Sequence, residues 1–155
     1  MTAVRRAVAA DAGPAAEVLL RARAEAAALG TIPPGVHPED EVRAWFAGHA
    51  LRACDVWVAR EPGRELTAVM VLDGDWIDQL YVAPGMTGRG IGAALLAVAR
   101  GARPSGLRLW CFASNTGARR FYERHGFAVV DATDGTGNEE RAADLLLRWD
   151  PCTLH

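Results

Sequence analysis

The hydrophobic period of this chain switches at residue 55 and switches back near residue 91, and that double change constrains the fold more than any other feature. From Asp55 to Arg60 apolar and polar residues alternate, and Leu66 to Leu72 is a run of apolar and β-branched residues; both are strand signals. Glu61, Pro62 and Gly63 form a turn between them, and Asp73-Gly74-Asp75 forms a second turn leading into Trp76 to Val82. Three consecutive strands on short turns predict an antiparallel meander. A glycine-rich loop, an apolar helix to about Arg100 and a strand from Leu107 to Phe112 come next. Strand, helix and strand in that order predict a right-handed parallel crossover.

The flanks complete the element order. A short strand is expected over Ala3 to Ala7, and Asp11 is placed to cap the helix after it. Ala15, Val18, Leu19, Ala22, Ala26 and Leu29 recur at helical spacing until Gly30 and the Pro33-Pro34-Gly35 run. A second helix opens at Pro38, with Glu39, Asp40 and Glu41 set favourably against its dipole. A further helix from Asn115 to His125 stops at Gly126, and Phe127 to Asp131 and Ala143 to Trp149 close the chain as strands. The order β-α-α-β-β-β-α-β-α-β-β describes a mixed α/β (α+β) sheet in a single domain spanning residues 1–155, a common domain size.

Composition removes several function classes. A net charge of −2 gives no electrostatic footprint for nucleic acid or an anionic membrane. The longest apolar stretch, Ile91 to Ala99, falls well short of the roughly 18 residues of a membrane span. All 17 basic residues are arginine, which excludes a lysine-bearing phosphate loop and any Schiff-base mechanism. Cys54, Cys111 and Cys152 are odd in number and lack CxxC spacing, which argues against a disulfide framework or a zinc site and for a reducing compartment. Asp11, Pro14 and Glu17 interrupt what would be the apolar region of a signal after Arg5-Arg6. The expected location is the cytoplasm. His37, His49, His125 and His155 show no ligand spacing, so no metal is expected.

The densest local signal is Thr87-Gly88-Arg89-Gly90-Ile91-Gly92, ahead of a helix. Glycines there permit left-handed backbone and close ligand approach, and the free N–H groups of a new helix suit a pyrophosphate. Gly88-x-Gly90-x-x-Ala93 also satisfies the dinucleotide fingerprint in form. That fingerprint starts at a strand end and needs an acid some 20 residues on, whereas Ala83 to Thr87 intervene here and Leu107 to Phe112 holds no acid. Further on, Asn115, Ala118 and Tyr122 share one helical face. Taken singly, Asn115 reads as a helix cap and Tyr122 as a core aromatic; together they suit a thin, partly polar ligand.

Leu80-Tyr81-Val82-Ala83-Pro84, the 88–92 loop and Asn115 to Phe127 together resemble the acetyl-CoA signature of the GNAT N-acetyltransferases, whose element order matches this chain from end to end. Thr133 to Glu140, with Asp144 and Trp149, is similar to a bacterial subgroup of that superfamily. The resemblance implies that main chain at Leu80, Tyr81 and Val82 holds the pantetheine arm of acetyl-CoA. It implies that Thr87, Gly88, Arg89, Gly90, Ile91, Gly92 and Ala93 hold the pyrophosphate. Asn115 and Ala118 would border the arm, and Tyr122 would protonate the departing thiolate. The family pattern carries Gln or Arg where this chain has Thr87.

An attacking amine must lose a proton. Asp78, two residues before the cofactor segment and on the same strand face as Leu80 and Val82 by alternation, is the candidate base; an ordinary polar strand residue is the other reading. In the resembled fold the connection after Gly135 to Gly137 and the loop between the first two helices flank the acceptor pocket, which implies Glu140, Asp144 and His37 as acceptor-binding residues. A loop or cap residue is the other reading of His37, and Trp76 beside Asp78 is a further candidate. Glu139 reads as a solvated hairpin tip. Trp110 and Phe112 give Cys111 an apolar setting that raises a thiol pKa and disfavours a cysteine relay. The expected function is transfer of acetyl from acetyl-CoA to a primary amine of a small molecule or peptide, by direct attack in a ternary complex. A non-catalytic acyl-CoA-binding or sensing module on the same fold is the alternative. Homodimers are common in the family, though no segment here marks an interface.

Overall fold

The structure is a computed structural model that describes residues 2–151; Cys152 and His155 lie outside the described residues. The expected element order is the one the chain adopts. β1 (Ala3–Arg6) and a 3₁₀ turn (Ala9–Asp11) lead into α1 (Ala12–Ala28). α2 (Glu39–Trp45) runs through a π-helical turn (Phe46–Ala50) into α3 (Leu51–Ala53). The meander is β2 (Asp55–Arg60), β3 (Leu66–Asp73) and β4 (Trp76–Val82). α4 (Ile91–Ala102), β5 (Leu107–Phe112), α5 (Thr116–Arg124), β6 (Ala128–Thr133) and β7 (Asp144–Trp149) follow.

The strands form one sheet in the order β1-β2-β3-β4-β5-β7-β6. β4 and β5 are parallel and every other neighbouring pair is antiparallel. β3 is buried at every position from Leu66 to Leu72. Successive strand residues face opposite sides of a sheet, so both faces are covered here: α1 packs on one and α4 on the other. Leu19 of α1, Phe46 of the π turn, and Leu95 and Leu96 of α4 are fully buried with Val58, Val69 and Met70. Each such side chain contributes roughly 1.5–3 kcal/mol on burial.

Two local departures from the sequence expectations have physical causes. Asp11 does not cap α1 through its side chain. The Asp11 carboxylate accepts from the Val8 amide at 2.8 Å and from both Arg5 guanidinium nitrogens at 2.7 and 3.0 Å. That guanidinium holds the carboxyl below its usual range despite burial. The second departure is a bulge in β4. Val71 faces Gln79 but Leu72 faces Ile77, which leaves Asp78 as the extra residue. A bulge breaks the two-residue alternation, so Asp78 does not follow the parity of Leu80 and Val82.

β4 and β5 pair at one rung only, Trp76 opposite Arg108, and then diverge. The Ala83 amide donates to the Thr67 carbonyl on the β3 side at 2.7 Å. Main-chain groups alternate between the two edges of a strand, so those of Leu80 and Val82 point into the gap beside β5. No helix among the described residues is long and apolar enough to cross a membrane.

Candidate active site

The gap between β4 and β5 opens into two chambers that meet at Tyr81 and Ile32. The larger, about 690 Å³, runs between α1, the loop ahead of α4, and α5. Leu80, Val82, Thr87, Gly88, Gly90, Ile91, Gly92 and Ala93 line it, and Asn115, Ala118 and Tyr122 form its far wall. Gly88 and Gly90 have φ of +77° and +80°, a region that a side chain makes costly. Gly90 is the N-cap of α4, so its turn aims the unpaired amides of the first helical turn at the chamber. At Gly92 a Cβ would lie 3.0 Å from the Phe121 ring, which shows how closely α4 and α5 approach. The Arg89 side chain is not part of this lining; it forms an ion pair with Glu61 at 3.8 Å.

Asn115 is the helix cap and also lines the chamber. Its Oδ1 accepts from the Ala118 amide at 3.3 Å as the cap of α5, which leaves Nδ2 available to donate. Tyr122 is likewise a buried core aromatic, packed edge-on against Phe121 and Phe127, and a wall of the chamber. Burial pushes its phenol well above the usual range, so it holds its proton at every relevant pH. Cys111 is pushed up to about 11 by burial, which leaves almost no thiolate at neutral pH.

The second chamber, about 470 Å³, is enclosed by α1, the 32–37 loop, α2, β4 and the loop before β7. It brings together Asp78, His37 and Glu140 of the expected residues, with Glu41, Glu139, Arg23 and Gln79 beside them. Asp78 faces the chamber, yet the surrounding walls strip enough water to raise its pKa. Gln79 Nε2 donates to it at 3.3 Å. Arg23 fixes the floor: its Nε donates to the Tyr81 hydroxyl at 3.1 Å and its Nη2 to Gln79 Oε1 at 3.0 Å. His37 spans the mouth, with Nδ1 3.0 Å from Glu41 and Nε2 2.8 Å from Glu139. Both carboxylates raise the imidazole pKa, Glu139 the more. Glu139 borders the chamber and pairs with His37 while its side chain stays 64% exposed, as expected of a solvated hairpin residue. Its His37 partner is 102 positions away, so no local pattern could have revealed it.

Two expected acceptor residues lie elsewhere. Trp76 does not line the second chamber; its ring stacks on Trp110 at 6.3 Å with the Arg108 guanidinium 4.3 Å above it. Asp144 lines an adjoining cavity of about 450 Å³ with Trp110, Cys111, Thr133 and Asn138. Glu140 and Phe112 border both spaces.

Comparison with known proteins bears on this arrangement. A family model described as an acetyltransferase (GNAT) domain matches residues 52–129. The peptidyl-lysine N-acetyltransferase YiaC of Escherichia coli (strain K12) is 36% identical over 93 residues, covering 60% of this chain and 62% of that protein. The match thus spans less than two thirds of that relative. Among solved structures, the histone acetyltransferase HPA2 and related acetyltransferase from Corynebacterium glutamicum superposes with a TM-score of 0.75 at 18% identity, over 97% of this chain and 96% of that one. The PaiA N-acetyltransferase from Thermoplasma acidophilum, in complex with coenzyme A, gives 0.70 at 19% identity over 97% and 99%. The matched segment contains the meander, the splayed strands, the glycine loop and α5, and the chain belongs to the GNAT acetyltransferase family.

Proposed function

We propose that this chain transfers the acetyl group of acetyl-CoA to a primary amine on a small molecule or peptide, by direct attack in a ternary complex. The observation that carries this reading is the junction of the two chambers at Tyr81 and Ile32. One chamber is built for a long phosphorylated arm and the other for a cation. A donor entering from one side and an amine from the other would meet over β4.

The residues present suit acetyl-CoA. The outward main chain of Leu80 and Val82 offers a strand-like edge to an amide-bearing arm. The left-handed turns at Gly88 and Gly90 expose backbone amides for a pyrophosphate. Thr87 still offers an amide and a hydroxyl where the family has a longer side chain. Acetyl-CoA, when bound, supplies an activated acyl carbon. Asp78, which lines the acceptor chamber, would take the proton from the incoming ammonium, and its raised pKa supports this by making it a stronger base than a solvated carboxylate. Tyr122 holds its proton firmly and serves by donating a hydrogen bond to the sulfur as charge develops there.

Glu41, Asp78, Glu139 and Glu140 outnumber Arg23 and His37 around the acceptor chamber, which favours a cationic acceptor. YiaC acts on peptidyl lysine, which supports an amine presented on a peptide. The cytoplasm is the setting this reading implies. The test is calorimetric titration with acetyl-CoA, NAD serving as control, followed by CoA release across an amine panel. Acetyl-CoA binding with turnover of an amine is the expected result. Binding without release on any amine would instead support an acyl-CoA sensor, and no binding would refute both.

A further inference from the structure

The cavity of about 450 Å³ beside the acceptor chamber has no part in the reaction just described. Its construction is nevertheless specific. Residues 108, 110 and 112 of β5 alternate onto one sheet face, and Phe112 stands opposite Asp144 in the β5–β7 register. Trp110 is 47% exposed, unusual for a tryptophan in the middle of a strand. The ring does not hang free. It stacks on Trp76 with the planes 13° apart, Arg108 sits over Trp76, and Asp75 binds Arg108 Nε at 3.1 Å. On the neighbouring strand and the same face, the Asp144 carboxylate is held by the Thr133 hydroxyl and by Asn138 Nδ2 at 3.3 Å.

A braced indole and a held carboxylate, diagonal neighbours on one sheet face and lining one cavity, are groups that recognise an organic cation, the ring by its π-face and the carboxylate by ionic hydrogen bonding. Glu140 and Phe112 make the cavity continuous with the acceptor chamber. We infer that this cavity is a second acceptor subsite, formed by Trp110 and Asp144, that binds a further cationic group on the amine being acetylated. The substrate class is therefore a dication: a basic peptide with lysine or arginine near the reactive amine, or a polyamine. The inference rests on the acetyltransferase reading for the identity of the first chamber.

Two measurements keep the subsite separate from that reading. The first is CoA release with Ala-Arg-Gly against Ala-Gln-Gly and, in a separate arm, spermidine against butylamine. The wild type is expected to prefer the dication by about tenfold in kcat/KM, the size of one charge-assisted contact. Asp144→Asn and Trp110→Leu bring that ratio towards one, with acetyl-CoA affinity serving as the folding control. Preference confined to the peptide arm or to spermidine identifies the source of the cation. The second measurement is tryptophan-fluorescence titration of the acetyl-CoA-loaded protein with the same compounds, which needs no turnover. Tighter binding of the dication, lost in Asp144→Asn, supports the subsite even if no amine is acetylated. Equal binding and turnover of charged and neutral partners overturns it and leaves the acetyltransferase reading standing. A dimer in sedimentation that Trp110→Leu dissociates also overturns it, since the indole would then be covered by a second copy.

Discussion

Gly92→Ala puts the spacing between α4 and α5 to a quantitative test. Gly92 sits in the first turn of α4 with an ordinary helical backbone, so alanine meets no conformational barrier. Helix propensity alone favours the change by up to about 1 kcal/mol. Against this, the new methyl would lie 3.0 Å from Phe121 Cζ and 3.4 Å from Cε1. Tyr122 at 5.2 Å and His125 at 4.8 Å flank the ring, so making room for the methyl disturbs the packing of α5. Overpacking of this kind costs roughly 1–3 kcal/mol. The expected net loss is therefore about 1 kcal/mol, or some 2–4 °C in Tm for a domain of this size. The disturbed α5 carries Tyr122 and follows Asn115 directly, so acetyl-CoA affinity should fall more than stability does. Thermal unfolding and calorimetric titration read the two effects. Phe121→Leu in the same chain should restore much of both by removing the ring the methyl strikes. A Gly92→Ala protein that is stabilised by the full propensity gain and binds acetyl-CoA unchanged would refute the argument.

Other expectations concern the chemistry. Tyr122→Phe should lower kcat by at least tenfold while leaving acetyl-CoA affinity within twofold, as read by steady-state kinetics and calorimetry; a thiolate stabilised elsewhere would leave kcat intact. Asp78 is held above its ordinary value by lost hydration, so kcat/KM should fall as pH drops through that raised pKa, and Asp78→Asn should remove this acid limb along with most activity. For His37 the folded pKa is raised, so the clamp is fully formed below about pH 6.5, the unperturbed value, and is lost as pH rises through the folded value. A neutral imidazole has only one N–H and cannot donate to both carboxylates. Proton NMR titration should place His37 above a free histidine, and Glu139→Gln should bring it down.

The element order was readable because each segment keeps one period: alternation in β2, an apolar run in β3, a glycine loop and an apolar helix after β4. The larger chamber was equally readable, since Leu80, Val82, Gly88, Gly90 to Ala93, Asn115 and Tyr122 lie in three short local motifs, although the Arg89 side chain turns away to Glu61. The acceptor side was read less well because its geometry is set by partners distant in sequence. The bulge at Asp78 depends on how β3 registers against β4, and alternation within β4 alone assigns that residue the wrong parity. Away from the chambers, Arg5 on β1 claims Asp11 six positions later in place of the helix cap. Adjacency to Asp78 along the chain says little about the Trp76 ring, whose position follows from the sheet order that sets β5 and Trp110 beside it. Only the closing of the 32–37 loop towards the loop before β7 brings His37 to Glu139.

The single rung between Trp76 and Arg108 divides the sheet's hydrogen bonding into two ladders, β1 to β4 and β5-β7-β6, that meet at one end like the covers of a book. Side-chain packing and loop ties hold the open end, among them the 2.7 Å hydrogen bond from Ser114 to the Thr31 carbonyl. An extended molecule laid along Leu80 and Val82 would act as an inserted page, taking up donors and acceptors that β5 leaves unused. Occupancy would then bridge the two ladders through main-chain hydrogen bonds, where the shared core joins them through side chains.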